Sequence, residues 1–171
     1  GEAFDKVAKM LDLGYPGGPI IDKLATQGDL SYVRFPKAYL GEESLDFSFS
    51  GLKTAVLYHL KSLSRNQIEK HRADIVACFQ SAVVDTLVDK TLAAARKLAV
   101  KTIVVAGGVA CNSFLRKTFQ QRCNEEGLKL IIPPPILCTD NAAMIARAGL
   151  FKLQQGEHSP FDLSPQPSLK L

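Results

Sequence analysis

The spacing of apolar residues predicts that residues 1–100 are mostly helical. A first helix is expected over residues 3–12, because its apolar positions recur at helical spacing: Phe4, Val7, Ala8 and Leu11. The glycine- and proline-rich residues 14–19 end that helix. Further helices are predicted at 20–25, from Ser50 to about residue 63, and over 67–98, the last long enough to be two. Residues 27–46 have no clear period, and short strands are expected at 32–35 and 45–49.

The pattern changes after residue 100. Two short runs rich in β-branched residues predict buried strands, and each precedes polar cap residues and a helical pattern. The strands are predicted at 101–106 and 128–132, and the helices from Asn112 or Ser113 to about residue 126 and over 142–155. This alternation indicates an α/β segment with parallel strands over 101–156, followed by an extended tail at 157–171.

The amino-acid composition is typical of a globular protein. The chain of 171 residues is 46% hydrophobic and 22% charged, with a net charge of +4 that permits an anionic partner such as a nucleotide or RNA without requiring one. No apolar run reaches membrane-spanning length and no secretory signal precedes the first helix, so we expect a cytoplasmic protein without a membrane partner. The chain begins within a helical pattern and without methionine, so we expect that the natural amino terminus, with any targeting signal, lies outside this sequence.

The cysteines and histidines do not form a recognisable metal or catalytic set. Cys78, Cys111, Cys123 and Cys138 lack C-x-x-C spacing and lie in apolar stretches, so we interpret them as reduced, buried hydrophobic residues. The three histidines form no pair at helical spacing, and His71 is expected in a solvated helical run. Nothing resembles a Ser-His-Asp or Cys-His arrangement, and no catalytic residue is assigned.

A glycine turn after the first predicted strand is the strongest local candidate for a ligand site. Gly107 and Gly108 permit close approach to the backbone, the next helix should offer free amide groups to a phosphate, and the Asn112 side chain can donate and accept. An ordinary strand-to-helix turn explains the same residues, so both interpretations stay open.

Three other charged positions have ordinary explanations from the residues alone. Asp140 could ligate a metal at the carboxyl edge of the sheet, although the residues favour a helix cap. Asp5 is expected on a solvated helix face. It lies near a glycine loop that contains Gly18 and is followed by Asp22, and a carboxylate there could bind ribose hydroxyls. Lys53 could meet a phosphate, but an exposed lysine is favoured.

Four separated segments together resemble one known family, the threonylcarbamoyl-adenosine synthase catalytic subunits (TsaD-like proteins, once called glycoproteases). These segments are GEAFDKVAKMLDLGYPGGP, DFSFSGLKTAV, VVAGGVACN and PPPILCTDNAAMIA, and the resemblance extends from Gly1 to about Gly156. It implies the carboxyl-terminal, helix-rich lobe of the actin-like, sugar-kinase-like ATPase (ASKHA) fold, which is an α/β fold. It also implies transfer of the threonylcarbamoyl group from threonylcarbamoyl-adenylate to the N6 amine of the adenosine 3′ to the anticodon, in tRNAs that read ANN codons.

The resemblance implies roles for particular residues. Those expected to hold the adenylate's ribose and nearby groups are Asp5, Gly18 and Asp22, and those of the nucleotide loop are Gly107, Gly108 and Asn112. Asp140 matches a ligand of one divalent metal ion, iron or zinc, which reverses the cap interpretation. Lys53, Arg72 and Arg116 are basic residues that could help hold the RNA.

The chain departs from the family by lacking its other parts. The H-x-x-x-H metal ligands and the glycine-rich phosphate segment of the amino-terminal lobe are absent from the sequence. We therefore expect this chain alone to be inactive, and to work with partner proteins of the threonylcarbamoyl-adenosine pathway. Two alternatives are a non-catalytic nucleotide-binding subunit of the same fold and a metalloendopeptidase, although the latter's H-E-x-x-H motif is also absent.

Overall fold

The computed structural model describes residues 1–37 and 44–164, which form a helix-rich α/β structure with a small parallel sheet. The helices of the described residues are α1 (Glu2–Met10), α2 (Gly17–Ala25), α3 (Ser50–Lys61), α4 (Arg65–Lys70), α5 (Arg72–Lys97), α6 (Ser113–Glu125) and α7 (Ala142–Gln154). The two strands are β1 (Thr102–Val104) and β2 (Lys129–Ile131), and 3₁₀ turns span Gly108–Cys111 and Pro135–Leu137.

The first core lies where α1, α2 and α3 pack around the amino-terminal half of α5. The rings of Phe4 and Phe79 meet edge to face, with centroids 5.4 Å apart. Two glycines permit the closest approaches, since a Cβ on Gly17 would lie 2.6 Å from the Phe4 carbonyl oxygen and one on Gly28 would lie 2.1 Å from that of Ala73. Real side chains do not fit at such distances, so the start of α2 packs on the backbone of α1, and the turn after α2 packs on the backbone of α5.

The second core lies between the carboxyl-terminal half of α5, α6 and the sheet. Its buried members are Val84, Val88, Leu92, Ala95, Ile103, Leu115, Phe119 and Cys123. Strands β1 and β2 pair in parallel, with Ile103 opposite Leu130, and α6 connects them. This confirms the predicted strand–helix–strand unit and its parallel pairing.

The long helical pattern after residue 64 is indeed two helices. Ser64 begins α4 with a capping box in which its hydroxyl accepts from the Gln67 amide and the Gln67 side chain accepts from the Ser64 amide. His71 separates α4 from α5, with a backbone φ of −104° and ψ of 18° that neither helix continues. His71 is not in a solvated run as expected, because its Nδ1 lies 2.9 Å from Asp74 and its ring stacks on Tyr32.

The strands expected at 32–35 and 45–49 do not form among the residues described there, 31–37 and 44–49. That prediction was wrong because the first segment has no strand to pair with and is fixed to α5 by side chains. The Asp29 amide donates to Asp74 at 2.8 Å, the Cys78 thiol donates to the Asp29 carbonyl at 3.3 Å, and Phe35 is buried in the first core.

Helix α7 differs from the other long helices because none of its residues is buried. Its exposed apolar side chains are Met144, Ile145, Leu150, Phe151 and Leu153. The helix begins at Asn141, whose side-chain oxygen accepts from the Met144 amide at 3.0 Å. In the part of the chain that the structure describes, no helix is both long and apolar enough to cross a membrane.

Candidate functional site

The first candidate turn joins α1 to α2, and Asp5 holds it closed. The Asp5 carboxylate accepts a hydrogen bond of 2.8 Å from the Gly17 amide at the start of α2. Asp5 is therefore half-buried and bonded, and the solvated position expected from the residues alone was wrong. Space around the next residue, Gly18, is open, because a Cβ there would meet no atom within 4 Å.

A second carboxylate joins this turn to the glycine turn after β1. Asp22, on α2, accepts from the Ser113 amide at 2.9 Å and from the Ser113 hydroxyl at 3.0 Å. These residues are 91 positions apart in the chain. The contact places α2, the helix that follows the first turn, against the first residue of α6. The site candidates Asp5, Gly18, Asp22 and Asn112 therefore belong to one connected part of the molecule.

Asn112 caps α6, as one of the two predicted caps, and its amide is used inside the protein. Its Oδ1 accepts from the Leu115 amide at 2.8 Å, and its Nδ2 donates to Gln80 Oε1 at 2.8 Å. Asn112 and Gln80 are 8% and 4% exposed. A role of this side chain in substrate binding stays a prediction, and the structure assigns it first to joining α5 and α6.

The turn at Gly107 and Gly108 leaves its backbone open to a ligand. Gly107 has φ +88°, in the left-handed region where residues with a Cβ are strained, and its carbonyl accepts from the Ala110 amide at 2.9 Å. Added Cβ atoms at Gly107 and Gly108 would meet nothing within 4 Å. Backbone conformation therefore requires glycine at 107, and the open side of the turn permits close approach.

The amino terminus of α6 is not free for a phosphate, contrary to the expectation from sequence. Two amides in its first turn are occupied, that of Ser113 by the Asp22 carboxylate and that of Leu115 by the Asn112 side chain. A carboxylate at a helix amino terminus already satisfies the positive end of the helix dipole. An anion would have to displace Asp22 or bind the adjacent glycine turn.

Arg116 connects the glycine turn to the segment that precedes Asp140. Its guanidinium donates to the Ala110 carbonyl at 2.7 Å and to the Pro133 carbonyl at 2.8 Å, and lies 4.0 Å from the Cys138 sulfur. Sequence reasoning considered Arg116 only as a possible RNA contact. The structure uses its guanidinium to fix two loops that are separate in sequence.

Asp140 is exposed beside α7 and does not cap it, since Asn141 performs that function. The described residues contain no group of three or more His, Cys, Asp or Glu side chains placed to hold a metal ion. One exposed carboxylate does not satisfy the coordination of iron or zinc, so the residues described here do not form a metal site by themselves.

Two basic residues considered for RNA binding are both at least partly buried, but only one of them is paired. Lys53 Nζ lies 3.2 Å from a Glu2 carboxylate oxygen, and only 21% of its side chain is exposed, so the exposed position expected for it was wrong. Hydrogen bonds from Lys6 and then Lys53 hold the pKa of Glu2 below its usual value. Arg72 Nε is buried and lacks a hydrogen-bond partner among the described residues.

The grooves of the molecule coincide only partly with these turns. A groove of about 520 Å³ is lined by Asp5, together with Glu2, Lys6, Lys9, Asp12, Gly14 and Tyr15. A larger one of about 820 Å³ lies between residues 30–37 and α5, and none of the sequence-predicted site residues lines it. The candidate site is therefore an open surface around two glycine turns rather than an enclosed pocket.

These features define a helix-rich α/β protein with two glycine turns joined through one acidic side chain. The family model for the tRNA N6-adenosine threonylcarbamoyltransferases (TsaD) matches residues 1–147. The chain belongs to this family.

Named relatives agree over the whole chain. It is 50% identical over 171 residues to a tRNA N6-adenosine threonylcarbamoyltransferase of Clostridium botulinum (strain 657 / Type Ba4), covering 100% of the chain and 50% of that protein. It is 52% identical over 164 residues to the protein of the same name from Syntrophus aciditrophicus (strain SB), covering 96% of the chain and 48% of that protein. The chain thus spans about half the length of the curated relatives it matches.

A solved structure shares the fold at lower sequence similarity. The crystal structure of HypF from T. kodakarensis superimposes with a TM-score of 0.66 at 20% identity, covering 90% of this chain and 20% of that one. At this identity the likeness concerns the fold alone, and it agrees with the α/β assignment.

Proposed function

We propose that this chain forms half of an enzyme that transfers a threonylcarbamoyl group to tRNA. The acceptor is the N6 amine of the adenosine 3′ to the anticodon in tRNAs that read ANN codons, and the donor is threonylcarbamoyl-adenylate. Support comes from relatives named tRNA N6-adenosine threonylcarbamoyltransferase, which are 50% and 52% identical to this chain over nearly all of its length. The observation that carries the proposal is the contact between Asp22 and Ser113, which brings the two glycine turns together.

In this proposal the two turns bind the adenylate, which is the leaving group of the transfer. The open backbone at Gly18, Gly107 and Gly108 accepts the nucleotide at close range, because no side chain covers it. Asp5 and Asp22 keep carboxylate oxygens beside these turns, where ribose hydroxyls can donate to them. The contribution of these residues is placement of the donor, while the carbonyl carbon stays accessible to the tRNA amine.

The proposed function also implies a more specific fold and a metal site shared with the missing half of the enzyme. We assign the chain to the carboxyl-terminal lobe of the two-lobed ASKHA fold, with a second lobe facing the open side of the turns. Asp140 would supply one ligand of a divalent ion, iron or zinc, and the remaining ligands would come from residues outside this chain. Such an ion can polarise the oxygens of the transferred group. The chain alone is then inactive, and tRNA and pathway proteins are partners of the complete enzyme, in the cytoplasm.

A chimera tests this function. The corresponding half of the Clostridium botulinum relative, which is 50% identical, is replaced by this chain, and threonylcarbamoyl-adenosine in tRNA is measured by nucleoside mass spectrometry. We expect the chimera to modify tRNA and the isolated chain not to. Asp140→Ala in the chimera should abolish modification, whereas Asp162→Ala, which removes another exposed carboxylate, should preserve it. A folded chimera that binds adenine nucleotide but leaves tRNA unmodified would contradict the proposal.

A further inference from the structure

Two cysteines from separate loops lie next to each other beside the glycine turn. Cys111 ends the 3₁₀ turn that follows Gly107, and Cys138 follows the 3₁₀ turn Pro135–Leu137. The Cys111 thiol and the Cys138 backbone amide both donate to one oxygen, the Pro135 carbonyl, at 3.5 Å and 3.0 Å. The Cys111 and Cys138 thiols also interact directly, and burial and then this neighbour raise the pKa of the Cys111 thiol, so that less of it is thiolate at neutral pH than in a free cysteine.

Arg116 fixes the two loops that carry these cysteines. One nitrogen of its guanidinium donates to the Ala110 carbonyl, next to Cys111, and lies 4.0 Å from the Cys138 sulfur. The other nitrogen donates to the Pro133 carbonyl, which also accepts from the Cys138 thiol at 3.4 Å. The two loops that carry these sulfur atoms are therefore held together by the folded protein and not by proximity in the sequence.

The four cysteines differ in access to solvent. All four are free thiols, and Cys78, Cys123 and Cys138 are buried while Cys111 is only half-buried. A small reagent in solution therefore reaches Cys111 first. Cys138, behind it, is the thiol best placed to react with whatever forms on Cys111, because Cys78 and Cys123 belong to the two helical cores.

We propose that Cys111 and Cys138 are a redox modification site, at which a low-molecular-weight disulfide converts the two thiols into an intramolecular disulfide. The Cys111 thiolate attacks the S–S bond of the reagent, forms a mixed disulfide and releases one reagent thiol. The Cys138 thiolate then attacks the Cys111 sulfur and releases the second reagent thiol. Two protein thiols lose two protons and two electrons in total, and the reagent disulfide is reduced to two thiols.

The disulfide would join the glycine turn covalently to the segment that ends at Asp140. In the reduced protein these loops are held by the Arg116 hydrogen bonds and the shared Pro135 carbonyl, which can open reversibly. The cross-link would remove that freedom at residues 107–112 and 133–138. The inference concerns the thiols alone and does not depend on the proposed transfer reaction, so either can fail without the other.

Tryptic mapping after oxidation of the native protein tests the site, because each cysteine falls in a different tryptic peptide: 73–90, 102–116, 123–129 and 130–147. The purified protein is incubated with oxidised glutathione, and the remaining thiols are alkylated after unfolding. We expect peptides 102–116 and 130–147 to appear joined, lighter by two hydrogen atoms than their sum, with Cys78 and Cys123 alkylated. Reduction should restore all four alkylated peptides.

Two variants separate the proposed order of events from general thiol oxidation. In Cys138→Ser, glutathione should remain attached to Cys111, because the second thiol is missing. In Cys123→Ala, the joined peptides should form as in the unmodified protein. The proposal is overturned if native protein keeps a mixed disulfide on Cys111 while Cys138 stays alkylatable. It is also overturned if Cys111 or Cys138 joins Cys78 or Cys123 instead, or if no thiol is lost under conditions that oxidise the unfolded chain.

Discussion

Residues 1–132 and residues 133–164 contain similar helices with opposite burial. Helix α5 buries side chains along most of its length in both cores, whereas α7, which is also rich in Ala, buries none among the residues described. Both helices end near a basic side chain, and only α7 has a side-chain cap at its amino terminus, so the local signals for α7 are no weaker than those for α5. The difference shows that helical sequence determines where a helix forms, while burial depends on what packs against it.

This difference has an energetic consequence. Isolated helices of about 13 residues are marginal in water, and packing of an apolar face provides most of the stability of a helix in a protein. Substitutions in the two regions should therefore differ in magnitude, and in one case in sign, even where the chemical change is the same.

Removal of one phenylalanine ring in each region should give the largest contrast. Phe79 is fully buried against Phe4, and Phe151 of α7 is 52% exposed. Phe79→Ala should lower the free energy of unfolding by about 3–5 kcal/mol, because it removes buried area and leaves a cavity. Phe151→Ala should change it by about 0.5 kcal/mol or less. Urea denaturation measures both, and equal losses would show that α7 is packed in solution.

The helix-capping asparagines give the next contrast. Asn112→Ala removes the α6 cap and leaves buried Gln80 without its partner, so a loss of about 2–3 kcal/mol is expected. Asn141→Ala removes the α7 cap and the hydrogen bond from Asn141 Nδ2 to the Thr139 carbonyl, both accessible to solvent, with an expected effect of at most about 1 kcal/mol. The double variant Asn112→Ala/Gln80→Leu should recover part of the loss, as measured by urea denaturation. No recovery would mean that the hydrogen bond between Asn112 and Gln80 does not contribute to the free energy of unfolding.

Glycine-to-alanine substitutions should have opposite signs in the two regions. A Cβ on Gly28 would collide with the Ala73 carbonyl, so Gly28→Ala should destabilise the protein by about 1–3 kcal/mol. Gly149 lies within α7 and has open space around it. Gly149→Ala should raise the stability of that helix by about 0.5–1 kcal/mol, measurable as increased helical circular dichroism. Destabilisation by Gly149→Ala would show a close packing partner for α7.

Periodic features of the fold were predictable from sequence, and contacts between distant residues were not. Helical spacing located the helices closely, and β-branched runs located the two strands, because both signals are local. The strands expected at 32–35 and 45–49 failed for lack of a partner strand, which no local pattern reveals. Hydrogen bonds such as that of Asp22 with Ser113 depend on how helices pack and were visible only in the structure.

The candidate site shows the same division. The turn at Gly107 could be predicted from its glycine, and the structure shows there a φ of +88° that requires this residue. The hydrogen bonds that Gln80 and Arg116 make inside the protein could not be predicted. A glutamine within the apolar run of α5 was nevertheless an available signal for a buried polar partner. The metal role of Asp140 rests on resemblance, and no neighbouring ligand set among the described residues tests it.

The smallest expected effect concerns the side chains that fix residues 29–35 to α5. Hydrogen bonds from the Asp29 amide and then from His71 hold the pKa of Asp74 below its usual value. Because the folded pKa is lowered, the stability gained from ionised Asp74 is present above its unfolded pKa and is lost as pH falls through its folded pKa. Asp74→Asn should therefore reduce stability at about pH 7 by about 1 kcal/mol or less, and should reduce the difference between about pH 7 and about pH 3.

Urea midpoints measured across this pH range test the prediction, with Asp162→Asn as the control for loss of one carboxylate. Asp162 lies in the second region, is exposed, and has no side-chain hydrogen bond among those of the described residues. A profile for Asp74→Asn that runs parallel to that of the unmodified protein would contradict the argument, because the lowered pKa requires a difference that grows as Asp74 ionises. If the profile of Asp74→Asn instead converges with that of the unmodified protein at low pH, the hydrogen bonds of ionised Asp74 account for this part of the loss of stability in acid.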